Sequence, residues 1–185
     1  MVLTPSTMMP IGTKAPYFRL PDTVSGGDLG YDDIRSEVAT VIMFICNHCP
    51  YVKHVIDQLA ALALEYKRKE VSFVAINSND VENYPDDSPE KMKVLAISLG
   101  NPFPYLFDET QEVARAYRAA CTPDFYIFDR NDQCVYRGQL DDSRPGSNIP
   151  VSGQDIRSAL DAVLAGESVS TDQKPSIGCN IKWKS

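Results

Sequence analysis

The sequence predicts an α/β fold with a central mixed sheet flanked by helices, and three observations carry that prediction. Ala39-Thr40-Val41-Ile42-Met43-Phe44-Ile45 is an apolar, β-branched run, the pattern of a strand covered on both faces. Val52, Val55, Ile56, Leu59, Leu62, Ala63 and Tyr66 then recur at helical spacing, and Val71 to Ile76 is a second buried run. Together these form a β-α-β unit, expected to be right-handed with parallel strands. Farther on, Asp124 to Phe128 and Cys134 to Arg137 flank a polar turn at Asp129–Gln133 and read as an antiparallel hairpin, which makes the sheet mixed.

The remaining elements follow from local chemistry. Residues 1–14 form a loose lead-in rich in proline, the main domain covers 15–166, and residues 167–185 form a tail packed on it. Tyr17 to Leu20 and Leu29 to Tyr31 flank the turn signal Ser25-Gly26-Gly27-Asp28 and predict an N-terminal hairpin extension, followed by one helical turn over Asp32 to Glu37. Lys67-Arg68-Lys69 suits the negative end of the main helix. Asn77 to Asp87 is polar and reads as an exposed insertion, ended by Ser88-Pro89, a cap followed by proline in the first helical turn. That helix runs to about Leu99, with Gly100 as its stop, and Asn101 to Phe107 reads as irregular. Thr110 caps a short helix through Arg118, and Ser152-Gly153-Gln154-Asp155 resembles a capping box before a last helix closed by Gly166.

Bulk composition narrows the function. The chain has 185 residues, 43% apolar and 23% charged, ordinary for one soluble domain with a proper core. A net charge of -7 argues against nucleic acid as a partner, because binding phosphates requires a basic stripe. No secretory pattern opens the chain and no segment approaches the ~20 apolar residues of a membrane span. The expectation is a cytoplasmic protein without a membrane partner. Five cysteines, an odd and sparse set, do not make a disulfide-stapled scaffold.

The chemistry concentrates in Cys46-Asn47-His48-Cys49-Pro50, at the junction of a strand and a helix. Disulfide exchange needs a thiolate and a resolving thiol within reach, and this spacing supplies both. Cys46, at the strand end, is expected to be the more exposed thiol and the nucleophile, with Cys49 as resolver. The helix N-terminus should draw the Cys46 pKa down from ~8.5. His48, when protonated, would stabilise the thiolate further, and Pro50 suits the first helical turn. Zinc is the competing reading, but it needs two more ligands and no second C-x-x-C or H-x-x-x-H exists, so neither a metal nor another cofactor is expected. His54 and Cys134 read as packing residues.

Strand, C-x-x-C, helix and a distant Thr122-Pro123 opening a strand resemble the layout of the thioredoxin fold. The chain resembles the redoxin branch that includes the alkyl-hydroperoxide-reductase/thiol-specific-antioxidant proteins. More narrowly, Phe44 to Val52, Ala75 to Asp80, Cys121 to Phe125 and Gly178 to Lys184 are similar to a peroxiredoxin-like subgroup with a C-N-H-C-P motif. The resemblance implies a thioredoxin-like fold, an antioxidant or thiol–disulfide role, a protein or small-molecule disulfide or thiol as substrate, and a separate electron donor. It also implies a cis peptide before Pro123, with Thr122 holding substrate and Pro123 keeping it against Cys46. Cys121 would then lie near the site as a further thiol or an inert one. Two departures stand out. Thr40 occupies the place of the buried aspartate that serves as proton acceptor in thioredoxins, which leaves Asp80, Glu82 or water for that task. No proline precedes Cys46 as in typical peroxiredoxins, so a thiol peroxidase forming a Cys46 sulfenic acid is the alternative to a Cys46/Cys49 oxidoreductase. A non-catalytic zinc- or partner-binding module is the third reading. Cys179 is either a resolver or part of a tail packed on the body and anchored by Trp183, and packing is the preferred expectation.

Overall fold

A computed structural model describes residues 2–185. Its main sheet runs Tyr105–Phe107 (β6), Val71–Asn77 (β5), Ala39–Phe44 (β4), Asp124–Asp129 (β8) and Cys134–Gly138 (β9). β4, β5 and β6 are parallel, while β8 is antiparallel to both β4 and β9. The crossover from β4 to β5 is Pro50–Lys67 (α2), and that from β5 to β6 contains Pro89–Ser98 (α3). The fold class is the one expected, a mixed sheet with helices on both faces.

Every residue of β4 is buried because the sheet is covered on both sides. Alternation sends Val41 and Met43 into one cluster with Leu59, Leu62 and Ala63 of α2 and Ile156 and Leu160 of Gln154–Leu164 (α5). Ile42 and Phe44 point into the other, with Tyr117, Tyr126, Phe128 and Tyr31 of Tyr31–Ile34 (α1). There Phe44 meets Tyr126 edge-on at 5.8 Å between ring centres, as does Tyr117 with Phe128. Burying each such side chain contributes roughly 1.5–3 kcal/mol, which makes β4 a rigid base for the cysteine motif at its end.

Two smaller sheets complete the molecule. Arg19–Pro21 (β2) and Asp28–Gly30 (β3) form the expected hairpin, with Leu20 opposite Leu29. Leu3–Pro5 (β1), Ile177–Asn180 (β10) and Cys121–Thr122 (β7) form an antiparallel sheet in the order β1-β10-β7. No helix among the described residues is long and apolar enough to cross a membrane.

Several local expectations are corrected. Residues 77–87 are an exposed insertion only over Glu82 to Asp86: Asn77, Ser78, Asn79, Asp80 and Asp87 are buried, because their side chains bond one another and the chain near Lys182. Residues 101–107 are not wholly irregular, since β6 follows Pro104 at the sheet edge, where a strand loses nothing to preceding prolines. The helix assigned to Thr110 is Glu112–Ala116 (α4), which starts from Gln111 in the left-handed region at φ 65°. The N-cap of α5 is Gly153, not Ser152; its φ of 71° and a Cβ that would lie 2.7 Å from Leu62 Cδ1 require glycine.

Candidate functional site

β4 and β5 are parallel and end at the same edge of the sheet, so the segment after each meets the other there. Ile45 still donates to Ile76 O (3.0 Å), and the chain then turns through Cys46, Asn47 and His48 to Cys49, the N-cap of α2, with Pro50 in its first turn. The Thr122–Pro123 peptide is cis, as the resemblance implied. It brings Thr122 against both motif cysteines: Cys46 Sγ lies 3.5 Å from Thr122 Oγ1, and Cys49 Sγ lies 3.4 Å from Thr122 O.

Three expectations about the cysteines change. Cys46 is not an exposed thiol, because Cys46 and Cys49 are both buried under Thr122, at 1% and 0% exposed. The bonded pair is Cys49–Cys179, with Cα atoms 6.3 Å apart, and Cys46 is free. The cause is tertiary: β10 runs antiparallel to β7 with Cys179 opposite Thr122, which places a third sulfur beside Cys49. Nor is the Cys46 pKa depressed. Burial pushes it up to about 11, helped by the Asp87 charge, against hydrogen bonds from Thr122 and the amides of Cys49 and His48.

Asp87 is the polar centre of the site. Its Oδ1 accepts from the amides of Asn47 (2.7 Å) and His48 (3.2 Å). Its Oδ2 accepts from Asn79 Nδ2 (2.8 Å) and bonds His48 Nδ1. His48 also stacks on Tyr84, with ring centres 5.7 Å apart and planes 10° apart. Asn47 Oδ1 accepts from Tyr105 Oη (2.9 Å), so the residues between the cysteines are held at both ends. Thr40 plays no part here; its hydroxyl accepts from Ser36 N (2.9 Å). Asp80 engages Asn83 and the Glu82 amide instead.

Sequence reasoning missed Asp87, although a signal existed: a long polar loop leaving a parallel strand falls at the edge where the motif lies. Cys46, His48 and Asp87 offer donor atoms within 4.8 Å of one another, a trio that could hold a metal ion. Four hydrogen bonds already surround the Asp87 carboxylate, so an ion there would have to displace one. Cys121 is buried in β7, its thiol held up by burial and facing Pro123 O at 3.8 Å. Burial likewise pushes Cys134 up to about 12. His54 bonds Ser143 Oγ (2.6 Å). Trp183 is not a buried anchor: it lies half-exposed under the Arg115 guanidinium, and β10 and the bonds of Lys182 secure the tail.

Residues 11–137 match the AhpC/TSA family. Among solved structures, an uncharacterized conserved protein from Geobacillus kaustophilus is 64% identical with a TM-score of 0.98, covering 100% of this chain and 97% of its own. A hypothetical protein from Sinorhizobium meliloti is 44% identical with a TM-score of 0.96, covering 98% and 99%. A putative thiol:disulfide interchange protein DsbE from Chlorobium tepidum is 19% identical with a TM-score of 0.66, covering 85% and 99%, a likeness of fold. No match was found among the curated proteins. A thioredoxin-like fold, paired with a family match over more than half of its length, makes this chain a member of the AhpC/TSA family.

Proposed function

We propose that the protein is a thiol–disulfide oxidoreductase that uses Cys46 and Cys49 through a mixed-disulfide intermediate. The observation that carries this reading is the contact of both motif sulfurs with Thr122, one at its hydroxyl and one at its carbonyl. Both sulfurs therefore share the Thr122 side of the cis-proline segment. The reduced site acts first through the Cys46 thiolate, which attacks the substrate disulfide and releases one thiol. Cys49 then attacks the mixed disulfide and releases the second. The Cys46 proton passes toward the His48–Asp87 pair, whose donor atoms lie within 4.8 Å of Cys46 Sγ, with Asp87 as the positioning residue of His48. The substrate is a protein or small-molecule disulfide, the electron donor a dithiol, and the compartment the cytoplasm. Family membership and the name of the Chlorobium neighbour support the same chemistry.

Insulin reduction tests this. Cys46→Ser is expected to lower the rate by roughly a hundredfold or more, and equal rates for variant and wild type would overturn the proposal. The family match also supports a peroxidase reading, in which Cys46 becomes a sulfenic acid that Cys49 resolves. Stopped-flow mixing with hydrogen peroxide separates the two: a reaction no faster than that of free cysteine removes the peroxidase.

A further inference from the structure

Cys179 enters none of those steps, yet it holds Cys49. β7 is two residues long and β10 is its strand partner, with Cys179 opposite Thr122 and Asn180 opposite Cys121. Gly178 packs so closely there that a Cβ would come within 1.9 Å of Thr122 O. β10 is tied in place from several sides: Asn180 N donates to Val2 O (3.1 Å), Ile181 N to Ala120 O (3.0 Å) and Ser176 N to Ser6 Oγ (2.8 Å). It thus covers the backbone edge of the one residue that both motif sulfurs touch. Extended peptides bind strand edges in the same manner, through main-chain pairing.

We propose that Cys179 is a third redox residue and that β10 is a built-in substrate strand, which turns the two-cysteine site into a three-sulfur relay. The proposal rests on the oxidoreductase reading above. Reduction of a substrate disulfide leaves Cys46 and Cys49 bonded to each other and releases two thiols. The Cys179 thiolate then attacks Cys49 Sγ. The Cys46–Cys49 bond breaks, the Cys49–Cys179 bond forms, and Cys46 departs as a thiolate that takes up the proton Cys179 gave. This exchange moves no electrons in or out. The stored oxidising equivalent leaves when an external dithiol supplies two electrons and two protons to Cys49–Cys179. The pairing held in the folded protein is Cys49–Cys179 with Cys46 free, so the exchange runs toward that state.

The test maps bonds over time. Fully reduced wild-type protein is mixed with one equivalent of oxidised glutathione, quenched with acid, alkylated, digested without reduction and read by mass spectrometry. A Cys46–Cys49 peptide is expected to rise and then fall about tenfold or more as Cys49–Cys179 accumulates and Cys46 returns in alkylated form. In Cys179→Ser the reaction should stop at Cys46–Cys49. A wild type that ends with Cys46–Cys49 and an alkylated Cys179 overturns the relay while leaving the oxidoreductase intact. Formation of Cys49–Cys179 at the wild-type rate in Cys46→Ser overturns the order of steps. A wild type that leaves all three thiols alkylated overturns both readings.

Discussion

Cys46 and Asp87 lie close enough together for the Asp87 charge to act on the Cys46 thiol. Burial and the Asp87 charge both raise the Cys46 pKa, while three hydrogen-bond donors pull it down. In the oxidised protein, the pH profile of Cys46 alkylation should therefore have its midpoint well above the ordinary 9.0. Asp87→Asn should move that midpoint down, at a stability cost of about 1–3 kcal/mol from the mismatched donors; an unmoved midpoint would remove the charge from the account. Asp124 is a second buried acid, raised by desolvation to about 7 despite bonds from Ser6, Tyr126 and the Phe125 amide. A carboxyl raised on folding stabilises the protein below its unfolded pKa of about 4 and loses that contribution as pH rises through about 7. Asp124→Asn should thus gain stability relative to wild type between pH 4 and 8, by at most about 4 kcal/mol. Urea unfolding at both pH values checks the difference, and a constant gap would contradict it. The motif residues were readable because spacing alone identified them. The burial of Cys46 was not, because it comes from Thr122, 76 positions away.

At the level of elements, the legible ones were those with a strong local period. β4, α2, β5 and the β8–β9 hairpin carry enough apolar residues in register to declare themselves. β6, β7 and β10 have two to four residues each, too few for any period, and owe their form to neighbours. α3 was announced by its cap: Ser88 Oγ accepts from Lys91 N. Ser88→Ala should lower stability by about 1 kcal/mol, measured by chemical unfolding, and no loss would mean that the cap is dispensable. β10 depends on a close approach instead. Gly178→Ala forces a methyl against Thr122 O, so it should cost about 1–3 kcal/mol. It should also expose the backbone amides of β10 to faster hydrogen exchange; unchanged exchange would show that the strand can shift without penalty.

Across the whole molecule, the Cys49–Cys179 bond spans 130 residues and ties β10, the strand paired with the cis-proline segment, to the start of α2. Closing a loop of that length removes chain entropy from the unfolded state worth up to about 5 kcal/mol. Dithiothreitol should therefore lower the unfolding midpoint of the wild type by more than that of Cys179→Ser, whose Cys46–Cys49 bond closes a far shorter loop. Equal midpoints for oxidised and reduced wild type would show that the cross-link adds nothing. In the sheet β1-β10-β7 the central strand is the last in the chain. A polypeptide leaving the ribosome presents Cys46 and Cys49 long before Cys179 emerges. The sulfur that holds Cys49 in the folded protein is therefore the last of the three to be made.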